Sequence, residues 1–167
     1  MKIISNTIFN SKNIVNYNQN LLSRLKKIAD KSPRKRSRIC IHKSQKAKTH
    51  EMIIALKKGS YIQPHIHLDE KSESYHVIEG KMVVYVFSQK GKIIKKVKMG
   101  NVNSKLNFYY RMNKSLFHMP VSLTKYCIYH ETFSGPFSKK NDVIYADFAP
   151  KENESHLVKK FLNKFKL

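Results

Sequence analysis

The chain predicts a mainly β protein, one domain of short antiparallel strands closed into a barrel, with a helix near each end. Two observations lead there. From about residue 51 to residue 148, short runs of apolar, β-branched or aromatic residues recur between turn-forming residues, the pattern of an all-β barrel or sandwich. On either side of them lies a stretch whose apolar residues fall at helical spacing. At 167 residues the chain suits a single domain with a substantial core.

Taken in order, residues 1–17 carry isolated apolar residues (Ile3, Ile4, Ile8, Phe9, Ile14, Val15) and suit one short strand against the barrel. From Asn18, Leu21, Leu22, Leu25, Ile28 and Ala29 define a helix, with Asn18 or Asn20 as its N-cap and Lys31-Ser32-Pro33 as its stop. Glu51–Leu56 and Lys81–Phe87 are unbroken apolar runs, as strands covered on both faces require. Gln89-Lys90-Gly91-Lys92 turns the second run into Ile93–Val97. Gly100–Lys105 reads as a loop, and Phe108–Met112, Phe117-His118-Met119, Lys125–Glu131 and Val143–Phe148 read as strands. From Ser155, Leu157, Val158, Phe161, Leu162 and Phe165 mark an amphipathic helix, to be docked on its own barrel or on a second subunit of a homodimer. Residues 1–45 are thus expected to pack a strand, a helix and a basic arm on a barrel built from 46–167, the whole forming one structural domain.

Composition narrows the function. Hydrophobic residues at 41% and aromatics at 11% exclude a disordered chain. No apolar run is long enough to span a bilayer, and the N-terminus lacks a signal-peptide core, so a cytoplasmic protein is expected. Cys40 and Cys127 match no paired zinc spacing and read as buried free thiols. The formal charge of +22 points to an anionic partner or to biased composition, because the lysines are spread along the chain rather than gathered. Beyond charge, nothing supports a specific nucleic-acid partner.

The informative stretch runs from Gly59 to Gly80, with the spacing G-x5-H-x-H-x5-E-x6-G. His65 and His67 share one face of a strand because side chains alternate, while Ile66 points away. Glu73 starts the next strand, Ser74–Ile78, with Tyr75 and Val77 on its face and His76 opposite. Two imidazoles and a carboxylate converging this way make a partial metal site.

This motif resembles the first motif of the cupin superfamily, small antiparallel β-barrels (jelly-rolls) that carry a metal inside. It departs in the gap before the glutamate, which is one residue longer than usual. Asp69 and Glu70 are nearby alternatives, but the spacing to Gly80 favours Glu73. The resemblance implies a further histidine from a later strand, and His118 after Phe117 is the candidate, although the usual proline and glycine before it are missing. The implied cofactor is one divalent transition metal (Zn, Fe, Mn or Ni) on His65, His67, Glu73 and His118.

A second resemblance involves Ser32-Pro33-Arg34-Lys35-Arg36-Ser37, then Ile41-His42-Lys43, Glu131 with Gly135-Pro136, and Asp147-Phe148-Ala149-Pro150. Together with the histidine motif these are similar to the WbuC family of cupin-fold metalloproteins, typically encoded among genes for bacterial surface-polysaccharide (O-antigen-type) synthesis. Arg34, Arg36, Arg38 and His42 are expected to bind the anionic part of a substrate, as guanidinium forks suit oxyanions, although a solvated linker would carry the same residues. Glu131 and Tyr75 are candidates for moving protons.

Two readings stay open. One is an enzyme performing isomerase, epimerase or hydrolase chemistry on a sugar or nucleotide-sugar. The other is a non-catalytic, metal-dependent module that binds a sugar or other anion, or regulates.

Overall fold

The computed structural model describes residues 2–4, 6–10, 12–68, 71–138 and 142–165. Its fold is mainly β, two sheets packed face to face rather than one closed barrel, with two helices among the described residues. The larger sheet has seven strands in the order β1 (Lys2–Ile4), β2 (Thr7–Phe9), β3 (Arg36–Cys40), β4 (Thr49–Lys57), β11 (Tyr126–Ser134), β6 (Glu73–Glu79) and β9 (Tyr109–Met112). The smaller has β12 (Val143–Tyr145), β5 (His65–His67), β10 (Phe117–Ser122), β7 (Lys81–Phe87) and β8 (Ile93–Gly100). Among the named strands all pairings are antiparallel except that of β2 with β3.

The unbroken apolar runs have the cause their sequence suggests. On β4, Met52, Ile54 and Leu56 face the space between the sheets, where they meet Tyr75, Val77, Cys127 and Tyr129 and, from the other sheet, Met82, Val84 and Val86. Ile53 and Ala55 point the other way, onto Leu21, Leu25 and Ala29 of helix α1 (Gln19–Lys31). The smaller sheet repeats the arrangement. Val83, Tyr85 and Phe87 face outward with Phe117, Met119 and Val121, under Phe161 of helix α2 (Ser155–Asn163). Each sheet therefore has one helix on its outer face, and burying a leucine such as Leu25 contributes about 1.5–3 kcal/mol.

Helix α1 starts where Asn18 accepts a hydrogen bond from the Asn20 backbone N–H at 3.0 Å, so Asn18 is the cap. Ser32 ends it in extended backbone. Residues 1–17 hold two strands, β1 and β2, rather than one. The basic run is no loose arm: Arg36–Cys40 is a strand of the sheet, paired with β4. Gly100 ends β8 rather than opening a loop, and Val102–Ser104 is a single 3-10 turn. Cys40 and Cys127 are buried free thiols. Among the described residues no helix is long and apolar enough to cross a membrane.

Candidate metal centre

The three-residue strand β5 delivers two histidines inward because Ile66, between them, is buried in the outer apolar layer. Register pairs His65 with His118 on the neighbouring β10. The three imidazoles thus share the inner face of one sheet, and each offers a nitrogen within 4.8 Å of the others'. Glu73 reaches them from the opposite sheet, where β6 begins. Sequence order puts its strand next, but the chain crosses between the sheets to reach it. Its Oε1 lies 3.4 Å from His67 Nε2 and its Oε2 lies 3.0 Å from His118 Nε2. Asp69 and Glu70, the alternative carboxylates, lie outside the described residues.

Backbone carbonyls fix two of the rings. His65 Nδ1–H donates to the Gln63 carbonyl and His118 Nδ1–H to that of Leu116, each at 3.0 Å. This leaves both Nε2 lone pairs free to bind a cation. The His118 Nε2 and Glu73 Oε2 atoms are buried and, despite their proximity, are not aligned for a hydrogen bond. Both nitrogens of buried His67 also lack hydrogen-bond partners among the described residues. Phe133 packs on that ring with centroids 4.4 Å apart. A lone pair facing a carboxylate oxygen at this distance is stable only with a cation between them, either a proton or a metal. The donor set, neutral imidazoles plus one carboxylate, suits a divalent transition metal.

Electrostatics follow from this packing. Burial alone would raise the Glu73 carboxyl, yet the facing imidazoles of His118 and His67 hold it well below the usual carboxylate range. Burial, then the positive charge His118 and His67 can carry, pushes His65 down to about 3. Burial, then repulsion from Glu73, pushes the Glu131 carboxyl up to about 8.

Glu131 and Tyr75, register partners on β11 and β6, both line the cavity onto which His65, His67 and Glu73 open. This cavity, of about 290 Å³, also receives Arg34, Arg36, Arg38 and His42. Arg36 and Arg38 lie on the same face of β3 as Cys40, whereas Ser37 turns to donate to the Leu25 carbonyl of α1. Arg34 does not join them by strand alternation, because Lys35 has a left-handed φ of 52°. Arg34 and Arg36 instead share the carboxylate of Glu152, at 2.5 and 2.8 Å. Arg36 also donates to the Tyr61 carbonyl. His42 Nδ1 accepts from the Glu51 backbone N–H, and its ring lies against His50 with centroids 4.0 Å apart. No histidine outside the three joins the centre: His76 is exposed, His130 lies near Glu51, and His156 is exposed on α2.

Sequence reasoning overlooked Glu152, Phe133 and Tyr145, which line the same cavity. Phe133 was within reach, lying two residues beyond Glu131 on the same strand face. Glu152 carries no local signal, since only the fold brings it to β3. Replacing Glu152 with Gln removes the shared charge and should lower stability by about 1 kcal/mol, as expected of a partly exposed ion pair. Urea denaturation would measure this, with Lys90→Gln, at an exposed turn, as the control.

Residues 17–99 match the model of a family described as a domain of unknown function, DUF6016. None of the curated proteins matches the chain. Among solved structures, a Shewanella oneidensis protein superposes with a TM-score of 0.53 at 12% identity, covering 65% of this chain and 72% of its own. The cupin domain of Schizosaccharomyces pombe Cnp3 gives 0.46 at 11% identity, covering 59% and 60%. A recombinant oxalate oxidase in complex with glycolate gives 0.46 at 14% identity, covering 59% and 46%.

Proposed function

We propose that this chain is a metal-binding cupin protein in which His65, His67 and His118, with Glu73, hold one divalent transition metal. The observation that carries this reading is the set of buried, unpartnered atoms His118 Nε2, His67 Nε2 and Glu73 Oε2, with both ring nitrogens within 3.4 Å of the Glu73 carboxylate. When bound there, such a metal supplies Lewis-acid chemistry, polarising a carbonyl or hydroxyl.

The chain's own residues would do the rest. Glu131, in the cavity beside its register partner Tyr75, is placed to exchange a proton with a group bound there. Tyr75, buried beside it, presents a phenol to the same space. The arginines at the mouth favour an anionic ligand. The resemblance of the Ser32–Ser37 run and the histidine motif to the WbuC family favours a sugar or nucleotide-sugar of surface-polysaccharide synthesis, handled in the cytoplasm.

Metal analysis of the protein loaded in turn with zinc, manganese, ferrous iron and nickel tests the reading. About one ion per chain is expected for at least one metal. Glu73→Gln should weaken its binding about tenfold or more, the scale on which even an outer-sphere partner matters. Metal at background level for all four would overturn the proposal. Turnover of a nucleotide-sugar panel by the loaded protein would then separate an enzyme from a binding module.

A further inference from the structure

The charge of this protein is distributed by residue type. The chain has five arginines and 28 lysines. Three of the arginines line the cavity, whereas among the described residues no lysine does. Two of the three are engaged, since Glu152 holds both Arg34 and Arg36. Arg38 is different. It lines the same cavity from β3, is exposed to solvent, and makes no ion pair or side-chain hydrogen bond among the described residues. Planar guanidinium donors suit bidentate binding of a carboxylate or phosphate.

Register fixes the backbone separation of Arg38 from Glu73, the carboxylate beside the histidines. Glu73 pairs with Phe133, and Phe133 with His50 on β4; Arg38 pairs with Ile54 on the same strand. Arg38 is thus three strands across and four residues along from Glu73, about 14 Å in each direction. Even with both side chains leaning inward, only a ligand several atoms long can touch both ends. The cavity volume limits the part of a ligand that lies within it. At about 290 Å³ it lies at the small end of ligand sites, with room for one sugar ring or its open chain rather than an enclosed nucleotide-sugar.

We propose that Arg38 is the anion anchor of this cavity, and that its ligand is an elongated polyhydroxy anion of monosaccharide size. The carboxylate or phosphate rests on Arg38 while the other end meets the histidines. Only this second contact rests on the metal reading above.

Calorimetry on the zinc-loaded full chain tests the anchor. The probes are glucuronate and glucose 6-phosphate as the two anion sources, glucose as the neutral control, and oxalate as an anion too short to span. At least one of the first two should bind, and Arg38→Gln should weaken it about tenfold or more. Lys90→Gln, at an exposed turn, should change it less than about twofold. Glucose and oxalate should bind the wild type and Arg38→Gln alike. The stronger of the two acids identifies the anionic group. Equal weakening by both substitutions, or no binding of either acid at about 10 mM, overturns the anchor. Repeating the titration on His65→Ala/His67→Ala, with metal content measured in parallel, separates the two readings. Stoichiometric metal in the wild type with no Arg38 effect removes only the anchor. Arg38-dependent binding in a wild type that takes up no metal removes only the metal centre.

Discussion

The His65→Ala/His67→Ala protein is expected to lose its metal almost completely and to keep its fold. Two of the three imidazoles leave together, and His118 with Glu73 cannot close a site alone. Loss of a mere outer-sphere partner costs about 10–100-fold in affinity, so removing two direct ligands should exceed about 100-fold. The fold should persist because β5 is held by its pairing with β10 and β12 and by the burial of Ile66, none of which uses the imidazoles. Both nitrogens of buried His67 are unpartnered without a cation, so alanine at that position also removes a polar burial cost. Elemental analysis beside a circular dichroism spectrum reads both quantities. One ion per chain in the double variant would show that the metal sits elsewhere.

The second large effect concerns the two glycines that bound the histidine motif, which share a φ of +79° but differ in their surroundings. At Gly80, in the turn that carries the chain from β6 to β7, an added Cβ would stand 2.2 Å from the Tyr126 carbonyl oxygen and 2.6 Å from Thr124 Oγ1. The backbone of β11 blocks it, and left-handed backbone strain adds about 1–3 kcal/mol. Gly80→Ala should therefore cost about 3 kcal/mol or more. At Gly59 the nearest atom is Lys35 Nζ at 3.3 Å, the end of a flexible side chain. Gly59→Ala should cost only the backbone term, about 1 kcal/mol. Urea denaturation of the two variants compares them directly. Equal destabilisation would mean that the close approach of β11 is not what requires a glycine at Gly80.

These examples show what could be read from the sequence. The two-residue period gave the shared face of His65 and His67, and the unbroken runs of β4 and β7 gave strands buried on both sides. Both signals are local, set by alternation along one strand. What stayed hidden depends on pairing across the chain. Arg36–Cys40 reads as a charged linker because only Ile39 and Cys40 are apolar, and it becomes a strand through β4, whose edge it covers. Spacing groups Glu73 with the histidines, but its arrival from the opposing sheet could not be read from sequence separation. Glu152 was invisible for the same reason. Its partners lie 116 and 118 residues away, and nothing in Lys151-Glu152-Asn153 marks it.

The rim of the cavity ties together segments far apart in the chain. Arg36 donates to the Tyr61 carbonyl, the Tyr61 hydroxyl donates to the Pro150 carbonyl, and Glu152 closes the loop on Arg34 and Arg36. The order of synthesis then matters. A chain leaving the ribosome exposes its last imidazole of the centre at residue 118, but it cannot complete the arginine rim until residue 152 has emerged. Growing at about 5–20 residues per second, it completes β11, the strand that joins β4 to β6, about 1–4 seconds before Glu152 emerges. In that interval the sheets can close around the imidazoles and Glu73, so the rim is the last part of the cavity to be tied.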